Sequence, residues 1–318
     1  FRLADQIDWE KFCSEFGILF SDTKGRRALP TRLMVGLSYL KHMYNVSDEM
    51  AVENFLENGY WQYFCGFEYF QHEYPCDPTS LTRWRKRIGE KGAEKLLQES
   101  LSLANKLTLL KVKDCEKVVV DTTVQEKNIT YPTDAKLLNK VREKLVKLAL
   151  MEGIELRQNY NRTFKGFLRK ASGYAHARQF NRLNSTLNKM KKKLGCIMRD
   201  IERKCPNPSK TLQDMMNMAF KIKWQEKKSK NKIYSIHEPH VECISKGKAR
   251  NPFEFGNKVS ITTSVKNNWV LGVKSFFGNP FDGSTLKAAI KHTESITEIK
   301  IKEIYVDKGY RGRDHHPE

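Results

Sequence analysis

The chain contains no apolar run approaching the roughly 20 residues a bilayer span requires, and nothing near its start has the pattern of a secretory signal. A membrane is therefore not among its expected partners. None of its seven cysteines (Cys13, Cys65, Cys76, Cys115, Cys196, Cys205 and Cys243) falls in a CxxC pair, and their number is odd. That speaks against a structural zinc site or a disulfide framework, and scattered reduced thiols fit a cytoplasmic protein. Acids are scarce as well. The 37 Asp and Glu face 57 Lys and Arg, giving a formal charge of +20 and a pI near 9.6. Such a field excludes few functions but attracts polyanions, nucleic acid above all. A starting methionine is also missing: the sequence runs from Phe1 to Glu318, both ends look cut, and it reads as a fragment.

What is present suffices for a real core. Hydrophobic residues make up 39% of the 318 positions and aromatics 11%, so the chain is not a basic disordered tail. Its length suggests about two domains. Residues 1 to about 110 read as helices. Pro30 through His42 has Leu33, Val35, Leu37 and Leu40 at helical spacing, with Pro30 suited to a helix start. After the turn Tyr44-Asn45-Val46, Ser47 is an N-cap leading Asp48 and Glu49 into the first turn of a second helix, the charge sign the helix dipole favours. Asp77-Pro78-Thr79-Ser80 opens a third helix, short and basic, bearing Arg83, an exposed Trp84, Arg85, Lys86 and Arg87. Two helices, a tight turn and a basic helix suit either a helix-turn-helix DNA reader or a plain bundle with solvated cations.

Residues 116 to 132 and 253 to 312 have the texture of a sheet. Lys117-Val118-Val119-Val120-Asp121-Thr122-Thr123-Val124 is a short β-branched run typical of a buried strand, read as ending in an acid. Phe255 to Val265 and Trp269 to Phe277 are predicted as two further strands joined by a Lys266-Asn267-Asn268 hairpin turn. Asp282-Gly283-Ser284 caps a helix running to about Thr293. Glu303-Ile304-Tyr305-Val306-Asp307 is a last short strand, closed by Gly309.

Residues 133 to 232 interrupt this order with a helical stretch holding 26 Lys and Arg against 8 Asp and Glu, so +18 of the net charge resides there. Leu183, Leu187, Met190, Leu194, Ile197 and Ile201 are spaced 4, 3, 4, 3 and 4 apart, a heptad seam with lysines on the other faces. It is too short for a free coiled coil and predicts a helical hairpin, with Met215, Met216, Ala219 and Ile222 on the second helix. Lys191, Lys192 and Lys193 are candidates to grip a phosphate backbone, the alternative being a solvated lysine face.

Phosphodiester chemistry requires the attacking and leaving oxygens to be stabilised together, which two divalent ions held by carboxylates achieve. Magnesium prefers oxygen ligands and keeps several waters, so few acids suffice. Asp121 and Asp307 are each read as ending a β-branched strand, where a short side chain fixes an ion against a rigid scaffold, about 185 positions apart. One such aspartate is more often a loop cap. Two, in this strand order and in a chain of this charge, point to a metal site.

The stretches Val120-Asp121-Thr122-Thr123-Val124-Gln125-Glu126-Lys127 and Val306-Asp307-Lys308-Gly309-Tyr310-Arg311-Gly312 resemble the first and second acidic motifs of bacterial insertion-sequence transposases, in particular the insertion-sequence five/four superfamily. Supporting stretches are Ala28 to Leu37, Tyr60 to Gly66, Ser80 to Arg87, and His237 to Ile244 followed by Lys246-Gly247-Lys248. The resemblance covers nearly the whole chain. It implies an α/β fold: an RNase H-like mixed-sheet catalytic core over 111–318, interrupted by the basic helical insertion at about 133–232 and preceded by an all-helical domain over 1–110 that binds DNA ends. Neighbouring first and fourth strands of such a sheet would bring the two acids together. The resemblance further implies a DDE enzyme that cuts and rejoins double-stranded DNA, both terminal repeats and target. Asp121 and Asp307 would hold Mg2+ or Mn2+, two ions in all, in a homodimer associated with the bacterial nucleoid. A third acid, a glutamate on a downstream helix, is also implied. No segment here matches it, Glu318 beside Pro317 being a poor substitute, so the chain is expected to be catalytically incomplete.

Other residues carry open alternatives. Tyr310 and Arg311 contact the scissile phosphate or are a packed tyrosine and a surface arginine. Glu126 supports the metal site or is a solvated charge. His237 and His240 with Glu238 and Glu242 form a metal site or, as Pro239 between them favours, a turn entering a strand. His315 and His316 read as a solvated loop. For the whole, a DNA-binding remnant or regulator without cleavage is the alternative to the transposase, and an RNase H-like nuclease outside transposition is the third reading.

Overall fold

A computed structural model describes residues 2–20, 27–226, 229, 231–245 and 252–311. The Lys246-Gly247-Lys248 stretch, Gly312, His315, His316 and Glu318 lie outside the described residues. The helices α1 (Arg2–Gln6), α2 (Trp9–Gly17), α3 (Thr31–Tyr44), α4 (Asp48–Glu57), α5 (Gly59–Phe64), α6 (Thr79–Lys106) and α7 (Val112–Cys115) precede strand β1 (Lys117–Glu126). Then come α8 (Asp134–Met151), α9 (Asn161–His176), α10 (Phe180–Lys204) and α11 (Lys210–Trp224). The chain continues through β2 (Glu242–Ser245), β3 (Phe253–Ser264), β4 (Val270–Phe276), α12 (Asp282–Thr297), β5 (Glu303–Val306) and a 3-10 turn, Lys308–Tyr310. Two units emerge: Phe1–Val120 with Thr262–Gly272 and Ala289–Tyr305, and Asp121–Ile261 with Val273–Ala288 and Val306–Glu318.

In the first unit the helices pack around Phe12, Phe16, Leu33, Leu37, Phe55 and Leu81, all fully buried. Each such side chain contributes about 1.5–3 kcal/mol by leaving water. The predicted cap is in place: the Ser47 hydroxyl accepts from the Met50 N–H, with Asp48 and Glu49 in the first turn of α4. Asn45 ends α3 in the left-handed region, which asparagine tolerates. The third helix departs from expectation. It is 28 residues long, not short, and bends at Gly89, whose φ of 62° and ψ of −159° break the helical path. Short α5 also intervenes between α4 and α6, so the basic helix does not directly follow the turn. Trp84 is buried, not exposed. It stacks on Phe20 at 5.7 Å and meets Phe16 edge-on at 5.4 Å, because its position on α6 faces the core.

In the second unit α8 to α11 form a helical bundle with its own core, including Leu138, Leu145, Phe164, Met190, Leu194 and Ile197. The heptad seam lies along α10, but Thr186, Gly195, Met198 and Asp200 are buried as well. That broader face arises because α10 packs chiefly on α9 and α8, while α11 packs chiefly on α8. The expected α10–α11 hairpin is therefore one edge of a four-helix arrangement. Buried Arg142 fixes the start of α9: it donates to the Asn159 carbonyl at 2.9 Å and lies 5.0 Å over the Phe164 ring.

The sheet runs β2-β3-β1-β5, with β4 also on β3. β3 is antiparallel to β2, pairing Glu242 with Gly256 and Ser245 with Phe253. It is antiparallel to β1 too, since the Lys127 N–H donates to Phe255 at 2.9 Å and the Val265 N–H to Lys117 at 3.1 Å. Gly256 is required there: a Cβ would lie 2.0 Å from the Gln125 carbonyl oxygen. The hairpin into β4 closes through Asn268, at φ 53°, and a Ser264 N–H to Trp269 carbonyl bond of 2.9 Å. β1 and β5 are neighbours, their starts tied by the Lys302 and Glu303 N–H groups, which donate to the Glu116 carbonyl at 2.8 and 3.1 Å. β1 is half-buried rather than wholly buried: Val118, Val120 and Val124 point inward while Val119 and Asp121 alternate outward. The protein is thus a mixed α/β structure with an open sheet.

Candidate metal centre

Asp121 does not end its strand as predicted: it lies midway along β1, on the exposed face beyond two inward valines, because pairing with β3 continues as far as Lys127. Its Oδ1 accepts the Thr122 N–H at 2.8 Å. Asp307 follows β5 directly and caps the 3-10 turn, its Oδ1 accepting the Gly309 N–H at 2.8 Å. Gly309 is needed for close approach: a Cβ there would stand 3.0 Å from Asp307 Oδ1 and 3.6 Å from Asp282 Oδ2. The turn carries Tyr310 back into the fold, where it is buried.

Tyr310 gathers the site. Burial first, then the charges of Asp282, Asp121 and Asp307, push its hydroxyl up to about 12, partly offset by the nearby Thr122 hydroxyl. Yet no group meets hydrogen-bond geometry with the Tyr310 oxygen; the Thr122 hydroxyl proton is committed to Asp282 Oδ1 at 2.7 Å. The tertiary structure thus brings both predicted acids to bear on one buried phenol, together with a third carboxylate that the sequence marks only as a helix cap. Asp282 opens α12, where a negative charge suits the helix N-terminus. It also binds the ammonium of Lys258 on β3, 2.6 Å from Oδ1, while that ammonium donates to the Pro280 carbonyl at 2.8 Å. A lysine set within a β-branched strand is the sequence signal available for this pair.

Asp121 and Asp307 fit a hard divalent cation. Each uses one oxygen for a local backbone N–H, leaving the other oxygen for a ligand, and among the described residues neither forms an ion pair. Among the described residues no group of three or more His, Cys, Asp or Glu is arranged to hold an ion. Glu126 ends β1 exposed. His237 shares a 3.0 Å hydrogen bond with the Ser235 hydroxyl, and His240 meets the Phe277 ring edge-on at 5.4 Å, which matches the turn reading.

The cationic candidates divide by what they touch. Arg83, Lys86 and Arg87 are exposed on α6, with Arg87 4.7 Å over the Phe20 ring. Arg85 is tied to Asp48 by two bonds of 2.8 and 2.6 Å, and Lys41 joins the same carboxylate. These cations hold Asp48 well below the usual carboxylate range, the Arg85 hydrogen bonds being the largest cause. On α10, Lys192 is exposed, Lys193 lies 4.7 Å over the Tyr160 ring, and Lys191 reaches the Gln225 carbonyl at 3.4 Å. Nearby, a cleft of about 610 Å³ is lined by Arg157, Tyr160, Arg199 and Arg203. Arg311 is exposed just past Tyr310. No helix among the described residues is long and apolar enough to cross a membrane.

Residues 1–87 match a family model described as Transposase domain (DUF772). The chain is also 51% identical, over 179 residues, to a Rhizobium meliloti protein described as Uncharacterized protein ORF8 in nfe locus. That alignment covers 56% of this chain and 86% of the relative. No solved structure matches the chain.

Proposed function

Since this chain carries a transposase domain over residues 1–87 and shares a family with the Rhizobium meliloti ORF8 protein, we propose that it supplies two of the three acids of a metal-dependent DDE transposase acting on double-stranded DNA. The observation that carries this reading is that Asp121 and Asp307 come from neighbouring strands, form no ion pair among the described residues, and both act on the buried Tyr310 hydroxyl. In this reading residues 1–110 engage the element's ends, and 111–318 form an RNase H-like catalytic domain with the basic insertion within it. Two acids on adjacent strands of a sheet ordered β3-β1-β5, with the β3–β4 hairpin and α12 between them in the chain, support that assignment.

Mg2+ or Mn2+, two ions in all, would lower the pKa of a bound water and neutralise charge developing on the phosphate. The chain's own residues supply the rest. Asp121 and Asp307 present oxygen ligands from fixed positions. Arg311, exposed next to Tyr310, supplies positive charge for the phosphate backbone, as do exposed Arg83, Lys86, Arg87 and Lys192 and half-buried Lys191 and Lys193. A homodimer would hold two ends together, and terminal repeats and target DNA would be the partners.

The test is Mn2+ binding followed by paramagnetic resonance, paired with transposition of the gene in its native DNA setting. Asp121→Asn and Asp307→Asn should each abolish specific Mn2+ binding and reduce transposition by at least about a hundredfold, the order of loss expected when metal-assisted stabilisation of a reacting oxygen is removed, with DNA affinity intact. Unchanged metal binding in either variant overturns the assignment. DNA binding without any metal site would favour the non-catalytic regulator.

A further inference from the structure

Three carboxylates meet near Tyr310, but they are not equivalent. Asp282 Oδ1 takes two donors, the Thr122 hydroxyl at 2.7 Å and the Lys258 ammonium at 2.6 Å. Asp121 and Asp307 take only local backbone N–H groups. Thr122 links the two kinds, its N–H on Asp121 and its hydroxyl on Asp282. Asp282 Oδ2 and Asp307 Oδ1 lie within 3.6 and 3.0 Å of the same point above Gly309.

Acids in a cluster do not by themselves make a site. The second observation is the Tyr310 hydroxyl: the residue is 5% exposed, its oxygen is without a hydrogen-bond partner, and it faces Thr122 and the three acids. A buried hydroxyl left without a partner beside these charges calls for an explanation. Lys258 is equally unusual, 8% exposed on a strand whose neighbours Val259 and Ser260 are buried. Its ammonium is held out of solvent by two acceptors, the half-exposed Asp282 carboxylate and the Pro280 carbonyl, so its charge acts from within the fold.

We propose that the ion pair of buried Lys258 with half-exposed Asp282 sets the charge of the cation site, with Lys258 offsetting Asp282 so that Asp121 and Asp307 present the two negative charges met by a divalent ion. This rests on the reading of Asp121 and Asp307 as cation ligands. Asp282 is then a positioning residue: it orients Thr122, which in turn holds Asp121. The neutralised third acid keeps the site weak enough to exchange its ion and selective against higher charge. Without Lys258 the negative charge around the ion rises by one. Without Asp282 the site holds two carboxylates and a buried ammonium that repels the ion.

The purified chain is titrated with Mn2+, read by paramagnetic resonance, and with Tb3+, read by tyrosine-sensitised luminescence, with circular dichroism confirming the fold. Lys258→Met should tighten Mn2+ binding about tenfold and Tb3+ binding by more, since attraction scales with the ion's charge. Asp282→Asn should weaken both about tenfold, by the same charge argument. The double variant K258M/D282N should return to within about twofold of the parent chain, restoring two charges. Asp282→Asn and the double variant differ only in the lysine, so they decide the matter even if Lys258→Met fails to fold. Equal affinity in that pair, or weaker binding on losing Lys258, overturns the proposal. Absence of Mn2+ binding in the parent chain, or binding that Asp121→Asn leaves intact, overturns the ligand assignment itself and this inference with it.

Discussion

The Thr122 hydroxyl donates to Asp282 at 2.7 Å, joining β1 to the start of α12 across 160 positions of sequence. The same residue's N–H holds Asp121 at 2.8 Å, so one threonine orients an acid on its own strand and anchors to another on a distant helix.

That double role can be separated. Thr122→Val keeps the shape and the backbone bond but removes the hydroxyl, leaving Asp282 with Lys258. Chemical denaturation should show a loss of about 1 kcal/mol, the net worth of one side-chain hydrogen bond, and Thr122→Ser should recover most of it. Equal stability in the valine variant would show that the bond contributes nothing.

Gly309→Ala tests the close approach at Asp307. The added methyl would sit 3.0 Å from Oδ1, tighter than ordinary contact, and force the carboxylate to turn. Thermal stability should change little, because the position is exposed, while Mn2+ affinity falls several-fold. An affinity equal to the parent chain's would mean that the Asp307 orientation is not critical.

Asp48 predicts a pH dependence. Its carboxyl is held below the ordinary range by Arg85 first and Lys41 as well, against the opposing effect of burial. The unfolded chain therefore takes up a proton at this site before the native one does. The stabilisation is present above the unfolded carboxylate pKa of about 4, and it is lost progressively as pH falls below that value toward the native pKa. Denaturation of Asp48→Asn from about pH 6 down to about pH 2 should show a shallower acid decline than the parent chain. Parallel curves would place the acid sensitivity elsewhere.

The cations should also differ in their effect on DNA binding. Lys192 is exposed on α10, and Lys192→Ala should lower the slope of log affinity against log salt by about 0.9 if it neutralises one phosphate. Arg85→Ala should leave that slope unchanged while destabilising the helical domain, because its guanidinium is already committed to Asp48. Fluorescence anisotropy from about 50 to about 300 mM salt distinguishes them; a reduced slope for Arg85→Ala would show that the ion pair opens on DNA.

Much of the local architecture is legible in residues a few positions apart. The Ser47 cap, the hairpin at Asn268, the α12 start at Asp282 and the strand leading to Asp307 all belong to this class. The features that sequence reading missed depend on distant partners. Trp84 looks exposed in a run of arginines, but Phe16 and Phe20 cover it from α2 and the residues beyond. Arg85 looks available for DNA, but Asp48 lies 37 positions upstream and holds it. The heptad on α10 is real, yet its buried face is wider than two helices need because α8 and α9 share it.

For Asp121 and Asp307 the division is clear. Sequence alone determined that each acid stands at a β-branched strand in a strongly basic chain, since strand propensity and charge are local properties. The tertiary structure decided that both act on the buried Tyr310 together with Asp282, and that Lys258 pairs with Asp282. Strand order and side-chain pairing between residues far apart in the chain are settled by which non-local contacts pack and satisfy their charges together, and no short-range pattern encodes that.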